Sequence, residues 1–346
     1  MSQNFLSGGI GKTNNHKTNE WTNVFIQMKD YYDYKPILWF RNGHIQSLCP
    51  SLFRKIEGIC YERERIETPD DDFLDLDWSA SGNKTLAILS HGLEGNSHRT
   101  YVKGMVKALN EVNIDCLAWN YRSCSGETNR KLSMYHNGST DDMDLLIRHA
   151  TKKGYENIIL VGFSMGANLS LLYLGQQEDK LPHQVKGATV FSAPIDLKDS
   201  CDQLSAKSNK IYMKRFLKML HQKIKDKMVL YPDKIDDSNF DKIKDFKDFD
   251  DRYTAPLHGF QNAEDYWTKC SSGPLLGQIR VPTLIVNAQD DPFLGPSCYP
   301  YDQANTNIQL EFPKYGGHVG FMDRSISGQY WSESRAIDFI QSVLET

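Results

Sequence analysis

Apolar residues along this chain alternate between two rhythms. Short apolar runs, partly β-branched, occupy Phe73 to Trp78, Leu86 to Ser90, Cys116 to Trp119, Ile158 to Phe163, Ala188 to Phe191, Thr283 to Asn287 and Ile308 to Phe312. Runs this short and continuous are the pattern of strands buried on both faces. A further strand begins near Gly58, where Ile59, Tyr61, Arg63 and Arg65 share one parity, and the turn Pro69-Asp70-Asp71-Asp72 joins it to the next as an antiparallel pair. Between the runs, helical spacing appears over Tyr101 to Leu109, Met143 to Thr151, Ala167 to Leu174 and Trp331 to Leu344. Alternating strand and helix predict an α/β fold, a mostly parallel eight-stranded sheet with helices on both faces.

The rhythm is interrupted twice. A polar tail, residues 1–20, precedes a segment over 21–57 that mixes aromatics with Gly43-His44-Ile45-Gln46 and is expected to pack on the core as an extension. From 199 to 272 lysine, aspartate and aromatic residues replace the strand pattern, so an inserted helical lid is expected between a first core part, 58–198, and a second, 273–346. Its helix candidate carries Met213, Phe216, Leu217, Leu220 and Ile224 on one stripe, with Lys214, Arg215, Lys218 and Lys223 elsewhere. The stripe either only packs the lid onto the core or in part walls an apolar substrate pocket.

Composition narrows the function. A chain of 346 residues with net charge -4 has no overall field to draw nucleic acid or an anionic membrane, so a small-molecule substrate is expected. Seven cysteines, far apart and in no C-x-x-C pair, suit reduced thiols. The N-terminus lacks the pattern of a signal peptide, and no apolar stretch approaches the ~18 residues that span a bilayer. A soluble cytoplasmic protein with no stable membrane anchor is expected. Gly11-Lys12-Thr13 imitates the end of a phosphate-binding loop, but that pattern needs glycine where Leu6 stands.

The chemistry centres on Gly162-Phe163-Ser164-Met165-Gly166, where an apolar strand turns directly into a helix. That context is what the G-x-S-x-G pattern requires, with the glycines giving room for a sharp turn that exposes the serine hydroxyl. The competing reading of Ser164 is a helix N-cap. A serine nucleophile needs a histidine base oriented by a carboxylate, in the chain order serine, acid, histidine. Asp290 and Asp291 follow the strand Thr283 to Asn287, and His318 lies in the glycine-rich run Tyr315 to Phe321. Asp291 is read as the acid and Asp290 as a loop-shaping partner. Oxyanion donors are expected from the N–H of Met165 and from the loop Ser90-His91-Gly92-Leu93-Glu94-Gly95, where Gly92 permits the bend and Leu93 supplies the second N–H. A structural hydrogen bond is the role expected of His91.

His136 and Asp141 form a second constellation, in which Ser139 or Thr140 is expected to cap a helix starting near Asp141. No metal-ligand spacing stands out, and no cofactor is expected.

With these residues in view the chain resembles the AB-hydrolase 4 family, the YheT-like hydrolases, from about Phe40 onward. The resemblance is carried by Gly43-His44-Ile45-Gln46, His91-Gly92-Leu93-Glu94-Gly95, Asn120 to Glu127, the serine elbow, Phe249-Asp250-Asp251 with Pro256, His258-Gly259-Phe260, Asp290-Asp291-Pro292-Phe293 and Gly316 to Phe321. It implies the α/β-hydrolase fold, carboxylic ester hydrolysis and a relay of Ser164, Asp291 and His318. It also implies that His136 and Asp141 match the family's acyltransferase pattern. Lacking the N-terminal anchor of eukaryotic members, the chain is expected to be of the bacterial type. Arg122, Glu127, Asp251 and His258 are expected in structural ion pairs, with buttressing of the site as the alternative. The leading expectation is an esterase; the alternatives are an acyltransferase with the same nucleophile and a non-catalytic binding protein that has kept the fold.

Overall fold

The computed structural model describes residues 34–345 except 304 and 327. The polar tail, the Gly11-Lys12-Thr13 run and the first part of the extension lie outside the described residues. Eight strands form one sheet in the order β1-β2-β4-β3-β5-β6-β7-β8: β1 Glu62–Glu67, β2 Phe73–Ser79, β3 Thr85–Ser90, β4 Asp115–Asn120, β5 Asn157–Phe163, β6 Val185–Phe191, β7 Thr283–Val286 and β8 Ile308–Glu311. Strands β1 and β2 pair antiparallel, as do β2 and β4, and every later pairing is parallel. The apolar runs fill the centre because parallel strands are covered on both faces: Leu86, Ile88, Leu117, Leu160 and Val190 are fully buried.

The first strand starts later than its alternation suggests. Ile59 and Tyr61 precede β1, and the shared parity of Arg63 and Arg65 reflects ion pairing rather than a buried face. The register sets Arg63 opposite Asp77 and Arg65 opposite Asp75, and each guanidinium donates twice to its carboxylate, at 2.7 and 2.8 Å. Such forked cross-strand pairs fix register as well as charge.

Helices α2 Thr100–Asn110, α3 Thr140–Lys152 and α4 Met165–Gln177 stand where helical spacing places them, as does the C-terminal helix α8 Trp331–Leu344. Helix α1, Gly43–Phe53, is one the apolar pattern does not announce. It is capped by Asn42, whose side chain accepts from Ile45 N, and it continues through Pro50. Between β6 and β7 the chain makes no strand: α5 Leu197–Leu204, α6 Lys210–Leu230 and α7 Ala263–Cys270 are joined by loops and by a helical segment, Phe246–His258, with a π-helical turn at Asp250–Thr254. On α6 the stripe Met213, Leu217, Leu220 and Ile224 is buried in a cluster with Phe240, Phe249 and Tyr253.

Candidate active site

Strand β5 delivers Ser164 to the C-terminal edge of the sheet. The residue has φ 54° and ψ −120°, a conformation rare for a side-chain-bearing residue, and its N–H donates to Phe191 O at 2.9 Å. A Cβ on Gly166 would lie 2.2 Å from Ser90 O, so only glycine lets the turn close against β3. Ser164 stands at the N-cap of α4 but makes no side-chain cap bond. Its hydroxyl is instead bonded to His318, with Oγ 2.8 Å from Nε2. The other ring nitrogen, Nδ1, lies 3.1 and 3.0 Å from the two carboxylate oxygens of Asp291. The buried Asp291 also accepts from Phe293 N at 2.9 Å, and the Phe293 ring packs on the imidazole at 4.2 Å between centroids.

The loop that carries His318 is fastened by Asp290, expected as its loop-shaping partner, and by Ser47, Gln46 and Ser192, whose part in it nothing in the sequence announced. Ser47 Oγ of α1 accepts His318 N–H at 2.8 Å, and Asp290 Oδ1 accepts Gly317 N–H at the same distance. Gln46 bridges inward: its Nε2 donates to Phe40 O at 2.8 Å and to Met322 O at 3.3 Å, while its Oε1 accepts Met322 N–H at 2.8 Å. Ser192 Oγ accepts Val319 N–H at 2.9 Å. The Gly43-His44-Ile45-Gln46 motif makes sense in this setting, since a Cβ on Gly43 would lie 1.8 Å from Asp290 O. Asp290 therefore faces the loop backbone and Asp291 the imidazole. Burial raises the Asp290 carboxyl above its usual range.

Gly92 lies against Ser164, 3.1 Å from Ser164 Cβ to the place its own Cβ would take. Its carbonyl is held from two sides, by His91 Nδ1 at 2.8 Å and Gly95 N at 2.9 Å, and its N–H donates to Tyr101 OH at 3.0 Å. The Gly92 C=O and the Leu93 N–H belong to one planar peptide, so fixing the carbonyl fixes the direction of the N–H. Among the described residues no acceptor takes the N–H of Leu93 or of Met165. His91 is buried, and burial lowers its pKa to about 3, so it is a neutral strut for this loop.

Two clefts meet at Ser164 and His318. One encloses about 980 Å³ up to its open mouth and is walled by Leu93, Phe216, Leu220, Phe246, Phe249 and Phe293 among others, so the apolar stripe of α6 both packs the insertion and lines a pocket. Its polar walls include His136, His258, Asp250, Thr254 and Tyr266. Asp250 accepts from Thr254 Oγ1 at 2.6 Å and Trp267 Nε1 at 2.8 Å, and burial pushes its carboxyl up to about 7. The second cleft, about 850 Å³ to its mouth, runs between α1 and α6 along Ser47, Leu48, Tyr212, Arg215 and Met219.

His136 and Asp141 are not brought together by any hydrogen bond. His136 Nδ1 accepts Gly138 N–H at 3.0 Å, and its ring packs against His258 at 4.3 Å. Burial lowers His136 to about 3 and His258 to about 4. Asp141 is exposed at the start of α3, whereas Asp142 is buried and paired with Arg122 at 2.7 Å. The expected cap is absent: Ser139 Oγ accepts His136 N–H and Thr140 Oγ1 donates to Gln176, because both hydroxyls find partners outside the helix end. Arg122, Glu127 and Asp251 do form ion pairs, with Asp70, Arg65 and Lys247 respectively. Among the described residues His258 has no ion-pair partner; its ring lines the first cleft. Among the described residues no group of three metal-binding side chains converges, and no helix is long and apolar enough to cross a membrane.

A family model described as the alpha/beta hydrolase fold matches residues 88–325. The chain is 32% identical over 322 residues to "Putative esterase YheT" of Escherichia coli (strain K12), a match covering 90% of this chain and 94% of that protein. It is 28% identical over 327 residues to "Phospholipase ABHD3" of Homo sapiens, covering 90% and 79% of the two chains. Among solved structures, an esterase of Pyrococcus furiosus aligns with a TM-score of 0.57 and 15% identity over 84% of this chain and 96% of that one, a likeness of fold alone.

Proposed function

Because this chain belongs to the α/β-hydrolase family, on its YheT-like branch, we propose that it is a serine esterase working through an acyl-enzyme on Ser164. The observation that carries this reading is the continuous hydrogen-bonded line from Ser164 Oγ through His318 to Asp291, at 2.8 and 3.0 Å, at the junction of two clefts. His318 Nδ1–H is held by Asp291, which leaves Nε2 free to take the serine proton as Oγ attacks the ester carbonyl carbon. The oxygen that gains charge is received by the N–H groups of Leu93 and Met165, the latter on the positive end of α4. His318 returns the proton to the departing alcohol. Water then attacks the acyl carbon as His318 takes its proton; the bond from that carbon to Oγ breaks, Oγ receives the proton from His318, and the acid leaves.

The aromatic and aliphatic walls of the first cleft suit a short- to medium-chain acyl group or a small lipid, and the second cleft suits the alcohol part. That second cleft also favours a related activity, acyl transfer, in which another alcohol replaces water. The relatives named for esterase and phospholipase activity support an ester substrate. All seven thiols are free, which supports a reducing compartment such as the cytoplasm.

The test is labelling by a fluorophosphonate probe together with hydrolysis of p-nitrophenyl esters of rising chain length. The unmodified chain should be labelled and Ser164→Ala should not. An unmodified chain that takes no label and cleaves no ester would end the proposal, and added alcohol that diverts the acyl group into a new ester would favour the transferase.

A further inference from the structure

The net charge of -4 hides a strongly uneven distribution. Helix α6, Lys210–Leu230, carries Lys210, Lys214, Arg215, Lys218, Lys223, Lys225 and Lys227 against a single acid, Asp226. Lys223 and Lys227 turn inward to backbone carbonyls. Lys210, Lys214, Arg215 and Lys218 are exposed and, with Ile211, recur at three- and four-residue spacing, so they share one outer face. Lys207, just before the helix, is exposed as well. Among the described residues none of these five cations has a carboxylate partner.

Large apolar side chains stand in the open on α6, on α1 and on the turn before it. Ile211 is 76% exposed, Leu38 76%, Trp39 81%, Leu52 62% and Phe53 63%. The two helices meet: His44 of α1 stacks on Tyr212 of α6 at 5.7 Å between centroids, with Nδ1 3.1 Å from the phenol oxygen. The turn Leu38–Phe40 leads into α1, and Leu52 and Phe53 end it. Between these helices opens the second cleft, whose lining runs from Ser51 and Arg215 to Ser164. Exposed tryptophan and leucine next to unpaired lysines is the arrangement of a surface that seats at the level of lipid headgroups.

From this placement we propose that the rim formed by Leu38, Trp39, the end of α1 and the outer face of α6 docks on a bilayer bearing anionic lipid, with the mouth of the second cleft turned toward it. Apolar side chains enter the headgroup boundary, and the lysines meet the negative surface. An ester drawn from the bilayer would reach Ser164 without crossing water. The docking rests on the surface and not on the reaction assigned to Ser164, so Ser164→Ala should bind as the unmodified chain does; failed hydrolysis and failed docking are separate results.

The measurement is co-sedimentation of the full chain with vesicles of phosphatidylcholine, and of phosphatidylcholine mixed equally with phosphatidylglycerol. The chain should sediment with the mixture, and added salt should release it. Lys214→Gln with Lys218→Gln should weaken binding to the mixture about 25-fold, at about fivefold for each lysine, and leave the weak binding to phosphatidylcholine unchanged. Leu38→Ser with Trp39→Ser should weaken binding to both vesicles by about tenfold or more. All these side chains are on the surface, so the urea midpoint of each variant should match that of the unmodified chain; a variant whose midpoint falls is replaced by Phe53→Ser or Lys210→Gln. A chain that stays in the supernatant with the mixture, or variants that sediment like the unmodified chain, would overturn the proposal. So would a dimer detected by light scattering and dissolved by the Leu38 and Trp39 substitutions, which would make a second copy the occupant.

Discussion

Ser47 Oγ accepts the backbone N–H of His318 at 2.8 Å, across 271 positions of sequence. The same hydroxyl donates to Gly43 O at 2.6 Å, so α1 and the histidine loop are joined through one atom. The imidazole is thus set from two ends, its ring by Asp291 and its backbone by the helix.

Removing that atom should loosen the His318 imidazole without altering the two clefts. Ser47→Ala leaves a half-buried N–H unpaired, a cost of about 1–3 kcal/mol, part of which appears as disorder of the loop. We expect kcat for a p-nitrophenyl ester to fall about tenfold with KM little changed. An equal rise in KM with kcat intact would show that Ser47 acts on binding instead.

The neighbouring aspartates should separate cleanly. Asp291→Asn keeps the shape but disturbs the imidazole tautomer, and kcat should drop about 10⁴-fold. Asp290→Asn keeps an oxygen for Gly317 N–H and places an amide where the buried Oδ2 now lacks a partner, so it should cost less than about tenfold. The opposite ranking of kcat values would reverse the assignment.

Leu220 lines the first cleft from α6. Leu220→Trp fills part of that space, and the preferred p-nitrophenyl ester should shift to a shorter chain, with kcat/KM for the longer ester falling about tenfold or more. An unchanged chain-length profile would place the acyl group in the cleft between α1 and α6.

Acid should destabilise the fold through its buried imidazoles. His91, His136 and His258 have folded pKa values of about 3, 3 and 4, below the ordinary value of 6.5. Each is neutral in the folded chain and charged in the unfolded one between those limits, so unfolding takes up protons there and stability is lost as pH falls below 6.5. Asp250, raised to about 7, acts oppositely: its contribution is complete below the unfolded carboxyl range and is lost as pH rises through 7. In urea titrations near pH 5, His258→Gln should reduce the slope of unfolding free energy with pH by about 1.4 kcal/mol per unit, one proton's worth. An unaltered slope would mean that His258 is already charged in the folded chain.

Much of this architecture was legible before any coordinates. The apolar runs from Leu86 onward became strands because a residue's fit to a buried parallel sheet depends on its own side chain and its neighbours in sequence. The glycines around Ser164 and the order of serine, aspartate and histidine were likewise readable, since a sharp strand-to-helix turn needs local backbone freedom. Other features depended on what folding brings alongside. The parity of Arg63 and Arg65 was visible, but its meaning as ion pairing waited on Asp77 and Asp75 across the strand. Ser139 and Thr140 had the chemistry of caps, yet partners from a turn and from α4 claimed their hydroxyls. Of the two adjacent aspartates the sequence favoured Asp291 as the imidazole's partner, and the opposite directions of their side chains after β7 give it the imidazole and Asp290 the Gly317 N–H. Sequence by itself determined the elements and the candidate chemistry, through propensity and periodicity that act between near neighbours. Tertiary structure decided the partners, because a hydrogen bond such as Ser47 to His318 exists only where packing carries two distant segments to within 3 Å.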